Sequence, residues 1–483
     1  MIEPQVTDQL KSELVQLDAI MLKAEQDFKP LLDKVHPSQY QSACNLLHYL
    51  TLRSKDIRGL QDTLHQYGFS SLASSESHIH SQLLAILNHL DPDNNKEAAI
   101  TYKSSKELLK KRSMELFGPC SNPGIPSIMI TFDSTYADDY PAVKNLLQSG
   151  MSVARINCAH DNESIWRRMI EHVKKASTVT GLPCKVYMDL PGPKIRTYLP
   201  PKKKKKAQIK VQEGQTISLA EKDAALARKG IIGCTLPGII TQLKKGERVL
   251  IDDGMIEAKV ADIHNDSVQL QILRMSGKKP FIRSEKGLNF PDTQLSIPAL
   301  TDYDLKCLPF ILEHADMVGY SFVRNANDLL QLQGAMEPKK LPIIIKIETP
   351  EAVKNLPQLL LQGMREELFG VMIARGDLAV EIGFERMSEI QEEILWICEA
   401  GHVPVIWATQ VLENLNKSGI ATRSEVTDAA HAVMAECVLV NKGSHTIEVI
   451  EALRDILYRS GGHHVKKRYT FRPLQIASRF MAG

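Results

Sequence analysis

Two short apolar runs flank an amphipathic segment in PIIIKIETPEAVKNLPQLLLQGMREELFGVMIARGD, residues 342–377. The runs at residues 343–347 and 370–373 consist almost entirely of apolar residues, as expected for strands that are buried on both faces. The segment between them has helical spacing and length. The stretch therefore predicts a βαβ unit, in which a helix connects two parallel strands.

The same alternation recurs on both sides of this unit. It gives eight candidate strands at residues 128–132, 153–156, 185–188, 317–320, 343–347, 370–373, 403–407 and 437–440. Eight is the strand number of a closed (β/α)8 barrel, so the predicted fold class is α/β, a TIM barrel. The connecting segment 388–400 fits a barrel helix, since Ile390, Ile394 and Ile397 share one face and Gly401 stands at its end.

Two regions depart from this alternation. Residues 1–120 show helical spacing, with breaks at His36-Pro37-Ser38 and at 70–77, and predict an N-terminal helical module. Residues 198–284 show short strands and a hairpin turn at Asp253-Gly254, which predict an inserted all-β lid. The barrel is then assigned to 121–197 and 285–462, and a basic tail to 463–483.

Composition narrows the possible partners. The 483 residues include 59 Lys and Arg against 57 Asp and Glu, a formal charge of +2, so no nucleic-acid partner is expected. Five lysines, Lys202–Lys206, are interpreted as a solvated linker. The eight cysteines form no CxxC pair, which favours reduced thiols. No apolar stretch is long enough for a signal sequence or a membrane span, so we expect a cytoplasmic protein without a membrane partner.

Polar residues follow the candidate strands at the end where a barrel carries its active site. The second, third, fifth, sixth and seventh strands each contain such residues near their carboxyl end or are followed by them: Arg155, Asn157 and His160; Asp189 and Arg196; Lys346 and Glu348; Arg375, Gly376 and Asp377; Thr409 and Gln410. Charged groups next to buried runs need partners or a ligand, because an unpaired buried charge is costly.

Glu348 and Asp377 follow adjacent predicted strands. Two carboxylates there are within reach of one oxygen-preferring cation such as Mg²⁺. Lys346 and Arg155 add positive charge, which suits a phosphorylated or carboxylated small substrate. The alternative is a buried ion network without a ligand.

Seven blocks together resemble the pyruvate kinase family, in the family's order. They are SGMSVARINCAH (149–160), DLPGPKIR (189–196), LIDDGMI (250–256), EKGLNFP (285–291), IKIETPEAV (345–353), IARGDLAVEI (373–382) and PVIWATQVLENL (404–415). The resemblance implies a barrel that binds phosphoenolpyruvate and Mg²⁺ (or Mn²⁺), and a lid that closes over ADP or ATP. It also implies transfer of the phosphoryl group from phosphoenolpyruvate to ADP, a step of glycolysis that yields pyruvate and ATP.

The resemblance assigns roles to individual residues. Glu348 and Asp377 match the magnesium ligands, and Lys346 matches the lysine that stabilises the transferring phosphoryl group. Arg155 matches a phosphate-contacting arginine, and Thr409 and Gly376 match groups beside the substrate carboxylate. The residues on the nucleotide side are Asn157, His160, Arg196, Asp253 and Lys286.

The chain departs from the family at the monovalent-cation site. Asn157 and Asp189 remain, but Ala159 and Leu190 replace two hydroxyl residues. Lys194 stands where potassium-dependent members carry Glu. A fixed ammonium there can replace the charge of the ion, which predicts that potassium is not required.

A second departure follows the eighth strand, where VLVNKGSHTIE (438–448) replaces the family's usual block and places Asn441-Lys442-Gly443 near the nucleotide. This change leaves two alternatives open: a binding or regulatory protein with impaired catalysis, or a lyase or mutase that forms an enolate from a similar substrate. The family's C-terminal regulatory domain has no counterpart in this sequence. A homo-oligomer is possible, and the partner of the helical module is unknown.

Overall fold

The computed structural model describes residues 3–93, 95–119, 124–200, 207–227, 230–276, 281–466 and 468–469. Eight parallel strands of this described part form a closed barrel, in which each strand pairs with its neighbours in the chain and the last pairs with the first. They are β1 Ser127–Thr131, β2 Val153–Asn157, β3 Lys185–Asp189, β4 Met317–Tyr320, β5 Ile343–Ile347, β6 Phe369–Ala374, β7 Val405–Ala408 and β8 Cys437–Val440. The predicted fold class is confirmed.

β4, β5 and β8 have the predicted limits, and the limits of the other five strands differ from the predicted ones by one or two residues. β7 begins at Val405 and not at Val403, since Pro404 has no N–H to donate to the ladder. Helices surround the barrel, and their bounds are Tyr140–Ser149, Glu163–Thr180, Asp302–His314, Ala326–Met336, Pro350–Lys354, Leu356–Gly363, Arg375–Ile382, Met387–Ala400, Glu413–Ser418, Arg423–His431 and Thr446–Gly461. Gly401 follows Met387–Ala400 as its C-cap, as predicted.

A separate sheet lies between β3 and β4 in the chain. Its strands are, in spatial order, Leu288–Asn289, Arg248–Ile251, Ile256–Ile263, Ser267–Met275, Thr216–Glu221, Ile231–Cys234 and Thr197–Tyr198. The short pair Gln208–Lys210 and Phe281–Arg283 and the helix Lys222–Ala227 accompany it. We call this part the lid. Asp253-Gly254 forms its predicted turn, with backbone φ of 56° and 77°, whereas Lys202–Lys206 lie outside the described residues.

The N-terminal helices form the predicted module. They are Pro4–Asp27, Lys29–Leu32, Tyr40–Arg53, Arg58–Gln66, Ile79–Leu90 and Tyr102–Phe117. The predicted break at His36-Pro37-Ser38 is a 3₁₀ turn, Pro37–Gln39. The domain boundaries given above stay a prediction.

The module closes the lower end of the barrel, away from the carboxyl ends of the strands. Leu116 and Phe117, at the end of the last module helix, are buried in the same cluster as the inward-facing Met129, Ile344 and Met372 of the barrel. Close packing of this kind is costly to disturb. The helical module is therefore part of the barrel's core and not a separate attachment.

Candidate active site

Lys346 lies at the centre of a charged cluster at the carboxyl ends of the strands. Its Nζ is 2.6 Å from Ser321 Oγ, 3.0 Å from Glu348 Oε1 and 3.3 Å from Asp189 Oδ2. Burial alone would lower the pKa of Lys346, but attraction to Asp189 and Glu348 outweighs it and raises the pKa. The ammonium is therefore held charged at the position that the sequence predicts for catalysis.

Arg155 on β2 approaches the same carboxylate. Its Nη2 is 2.6 Å from Asp189 Oδ2, and its Nη1 donates to Thr131 Oγ1 at 3.0 Å. Burial would raise the pKa of Asp189, but Lys346 and Arg155 lower it overall. Asp189 therefore stays ionised and fixes the positions of two cations.

Tyr187 occupies the remaining side of Asp189, since its hydroxyl donates to Oδ1 at 2.9 Å. The close approach of β4 to β3 at this point requires Gly319, because a Cβ there would collide with Tyr187 and Asp189. Asn157, the other residue of the predicted remnant cation site, accepts a hydrogen bond from the Ala159 N–H through its Oδ1 at 3.0 Å. In this structure Asp189 thus serves as a counter-ion to protein cations.

Glu348 and Asp377 fit a divalent cation. Glu348 is 1% exposed and its Oε2 accepts from the Phe322 N–H at 2.7 Å. Its pKa is raised, first by burial and also by the nearby negative charge of Asp377. A cation between the two carboxylates would relieve this repulsion, and carboxylate oxygens are ligands that Mg²⁺ prefers.

A metal ion bound by Glu348 and Asp377 would have further coordination positions open. No group of three or more His, Cys, Asp or Glu with metal-binding geometry occurs in the described part of the chain. A site with two protein carboxylates completed by substrate oxygens and water is the usual arrangement for Mg²⁺ in phosphoryl transfer.

Gly376 and Thr409 contact each other directly. The Gly376 N–H donates to Thr409 Oγ1 at 2.7 Å. Thr409 has φ of 67°, an uncommon backbone conformation for a β-branched residue. Arg375 holds this strained loop, because it donates to the Thr409 carbonyl at 2.6 Å and pairs with Asp428.

The predicted nucleotide-side residues lie where the lid meets the barrel. Arg196 Nη1 donates to the Glu285 carbonyl at 3.0 Å, and Lys286 Nζ is 2.9 Å from Asp252 Oδ1. Asp253 is exposed at the lid turn. No described contact joins these residues to Lys346.

His160 lies near the altered loop that follows β8. Its pKa is lowered, first by burial and then by the positive charges of Lys442 and Arg196. The carbonyl of Asn441 accepts from Asn416 Nδ2 at 2.6 Å, which anchors the loop to the barrel. The loop therefore places the positive charge of Lys442 near His160.

The model of the pyruvate kinase barrel domain matches residues 126–446, about two thirds of the chain. The chain belongs to the pyruvate kinase family. The pyruvate kinase of Thermotoga maritima is 31% identical over 329 residues, 66% of this chain and 67% of that protein. That of Encephalitozoon cuniculi is 32% identical over 326 residues, which cover 65% of this chain and 71% of that protein.

Other pyruvate kinases are matched over less of their length. That of Staphylococcus saprophyticus is 30% identical over 328 residues, 65% of this chain but 53% of the relative. This chain thus spans about half the length of such relatives. In the described part of the chain, every helix is too short or too polar to cross a membrane.

Two contributors to this pyruvate kinase-like site were missed by the sequence analysis. Tyr187 lies inside an apolar strand and carries no signal beyond its aromatic character. Glu381 accepts from Asn289 Nδ2 at 2.7 Å, which joins the helix of Asp377 to a lid strand. The two residues of this contact are far apart in sequence, so their spacing could not have revealed it.

Proposed function

We propose that the chain is a phosphotransferase that converts phosphoenolpyruvate and ADP to pyruvate and ATP. The proposal is supported by the meeting of Arg155, Lys346, Glu348, Asp377 and Thr409 at one end of the barrel in a member of the pyruvate kinase family. This set combines fixed cations, two carboxylates for a metal ion and a hydroxyl. It suits phosphoryl transfer, in which catalysis is mostly positioning and electrostatic stabilisation.

The cations are oriented before the substrate arrives. Asp189 and Ser321 hold the Lys346 ammonium, and Asp189 also holds the Arg155 guanidinium. We assign both cations to the phosphoryl oxygens, where they require little reorganisation as charge develops. Asp189 is a positioning residue in this scheme.

Gly376 and Thr409 are assigned to the other end of the substrate. The carboxylate of phosphoenolpyruvate would accept a hydrogen bond from the Gly376 N–H, which donates to Thr409 Oγ1 in this structure. This exchange frees the Thr409 hydroxyl to face the carbon of the enolate, which gains a proton from water to give pyruvate.

The metal and the nucleotide complete the proposal. Glu348 and Asp377 would hold Mg²⁺, or Mn²⁺, which when bound supplies positive charge to phosphoryl and carboxylate oxygens. The nucleotide is assigned to the junction of barrel and lid, through Asn157, His160, Arg196, Asp253 and Lys286. Lys194 supplies a positive charge from the protein itself, so no potassium requirement is expected.

A coupled assay with lactate dehydrogenase tests the proposal. With phosphoenolpyruvate, ADP and Mg²⁺, we expect turnover at similar rates in potassium and in tetramethylammonium salts. Lys346→Met should lower kcat by about 10³-fold, because it removes a preorganised charge from the transition state. Lys340→Met is the matched control, since Lys340 is exposed and pairs with Glu366 away from the site.

Three other outcomes of this assay would each contradict part or all of the proposal. Absence of turnover with retained binding of Mg²⁺ and phosphoenolpyruvate contradicts the proposal and supports the regulatory alternative, which the Lys442 loop beside His160 favours. Pyruvate formed from an enolate-forming substrate without ADP would support a lyase. A strict potassium requirement would contradict only the role given to Lys194 and would leave the rest of the proposal unchanged.

A further inference from the structure

Lys194 lies between the barrel and lid parts of the site. Its Nζ is 2.7 Å from Asp377 Oδ1, and its side chain is 28% exposed. A Cβ placed on Gly287 would lie 3.8 Å from Lys194 Cε and 3.6 Å from Asp253 Oδ1. The lysine therefore contacts a barrel carboxylate, while its stem and the Asp253 carboxylate of the lid turn both lie beside Gly287.

The charges of the site balance without a metal ion. Three cations face three carboxylates: Arg155, Lys194 and Lys346 against Asp189, Glu348 and Asp377. A divalent ion bound to Asp377 would lie close to the Lys194 ammonium, which contacts Oδ1 of the same carboxylate, and like charges a few ångströms apart repel each other. Metal binding and the Lys194–Asp377 pair therefore oppose each other.

Asp253, on the lid turn, is an alternative partner for the displaced ammonium. It is exposed, and it makes no ion pair or hydrogen bond to any other residue that the structure describes. The lysine stem is flexible, and Lys194 Cε and Asp253 Oδ1 both lie within 4 Å of the same point beside Gly287. Rotation of the lysine side chain about its stem would turn the ammonium from Asp377 towards the lid turn.

We propose that Lys194 is a counter-ion with two positions. It pairs with Asp377 in the metal-free protein and with Asp253 when a divalent cation is bound, so that metal binding links the lid turn to the barrel. This inference rests on the metal site of the proposed function and adds to it a coupling between the metal and the lid.

Binding of Mn²⁺ to the whole protein, without substrate or nucleotide, tests the coupling. Free Mn²⁺ is followed by electron paramagnetic resonance. Lys194→Met should bind Mn²⁺ about tenfold more tightly than the wild type, because the competing ammonium is gone. Asp253→Asn should bind it about threefold more weakly, because the displaced ammonium loses its second partner. Added to Lys194→Met, Asp253→Asn should have no further effect.

Lys340→Met provides the charge-matched control. Lys340 is exposed and pairs with Glu366 away from the site, so its removal changes net charge equally and should leave Mn²⁺ affinity within twofold. Unchanged or weaker binding by Lys194→Met overturns the inference. So does an effect of Asp253→Asn that persists in the Lys194→Met background.

Glu348→Gln separates the inference from the proposed function. If this variant loses Mn²⁺ while Lys194→Met binds it as the wild type does, the counter-ion inference fails and the metal site stands. If Mn²⁺ binds equally well to Glu348→Gln and to the wild type, the metal site and the inference both fail. Binding to neither the wild type nor Lys194→Met also contradicts both.

Discussion

The carboxyl of Glu381 makes the stability of the folded protein depend on pH. Burial is the main cause that raises its pKa to about 7, with smaller effects from Glu351 and Asp377. In the unfolded chain such a group loses its proton near its ordinary value. Between these two values the folded state binds more protons than the unfolded state, so this group makes folding less favourable as pH rises from about 4.5 to 7.

Glu381→Gln should remove this dependence, because glutamine stays neutral and its carbonyl can still accept from Asn289. The stability gained relative to the wild type should grow from pH 5 to pH 8 and reach on the order of 2 kcal/mol. Thermal unfolding followed by circular dichroism across this pH series, in metal-free buffer, measures it. The exposed Glu385 gives the control Glu385→Gln, and a gain that does not change with pH would contradict the prediction.

Several charged residues of the candidate site could be predicted from the sequence. Lys346, Glu348 and Arg155 are predicted site residues because they are charged groups at or directly after the carboxyl ends of apolar strands. The structure brings them together around Asp189. The partner of Lys194 was not predictable. Its contact with Asp377 joins residues 183 positions apart, and side-chain reach across a barrel leaves no periodic signal.

At the scale of elements, Arg112 joins the last module helix to the barrel. Its guanidinium donates to the carbonyls of Ser38, Gly401 and His402 at 3.1, 3.3 and 2.9 Å, and only 4% of the residue is exposed. Burial lowers its pKa to about 10. Two of these carbonyls belong to the buried residues Gly401 and His402, and buried carbonyls need hydrogen-bond donors from the protein.

Arg112→Met keeps most of the apolar stem and removes the donors. We expect a loss of about 3 kcal/mol in stability, measured as a lower Tm by calorimetry, because the buried carbonyls lose their partners. Lys111→Met is the neighbouring control and should change stability by less than about 0.5 kcal/mol, since Lys111 is exposed. Equal effects of the two substitutions would show that Arg112 does not join the elements.

His402 reinforces the same junction. It is fully buried, with Nδ1 3.0 Å from Ser42 Oγ and Nε2 2.8 Å from the Ser77 carbonyl. Burial lowers its pKa to about 3, so the ring stays neutral in the folded protein. The helical pattern of the module was evident in the sequence, but the barrel loop that receives it was not, because that loop is distant in the chain.

At the scale of the whole molecule, the module and the barrel share one core. Leu116 and Phe117 are at most 1% exposed and fill the lower end of the barrel. Removing them would expose a ring of apolar strand residues to water. The module is therefore expected to be needed for folding, whatever else it binds.

Truncation tests this expectation. A chain that starts at Gly124 lacks Leu116 and Phe117 and should aggregate, whereas a chain that starts at Ile100 keeps the helix Tyr102–Phe117 and should be more soluble. Light scattering after size-exclusion chromatography compares them with the full chain. A monodisperse barrel from the shorter chain would contradict the shared core.

The barrel, the inserted lid, the helical module and most charged residues of the candidate site could be predicted from the sequence. Strand and helix periods are local, and parallel strands bring the residues at their carboxyl ends together, so these features follow from spacing. The role of Asp189 as a counter-ion, the contact of Lys194 with Asp377 and the closure of the barrel by Phe117 are evident only in the folded chain. Each of these depends on contacts between distant segments, whose geometry is set by packing and charge balance across the whole fold.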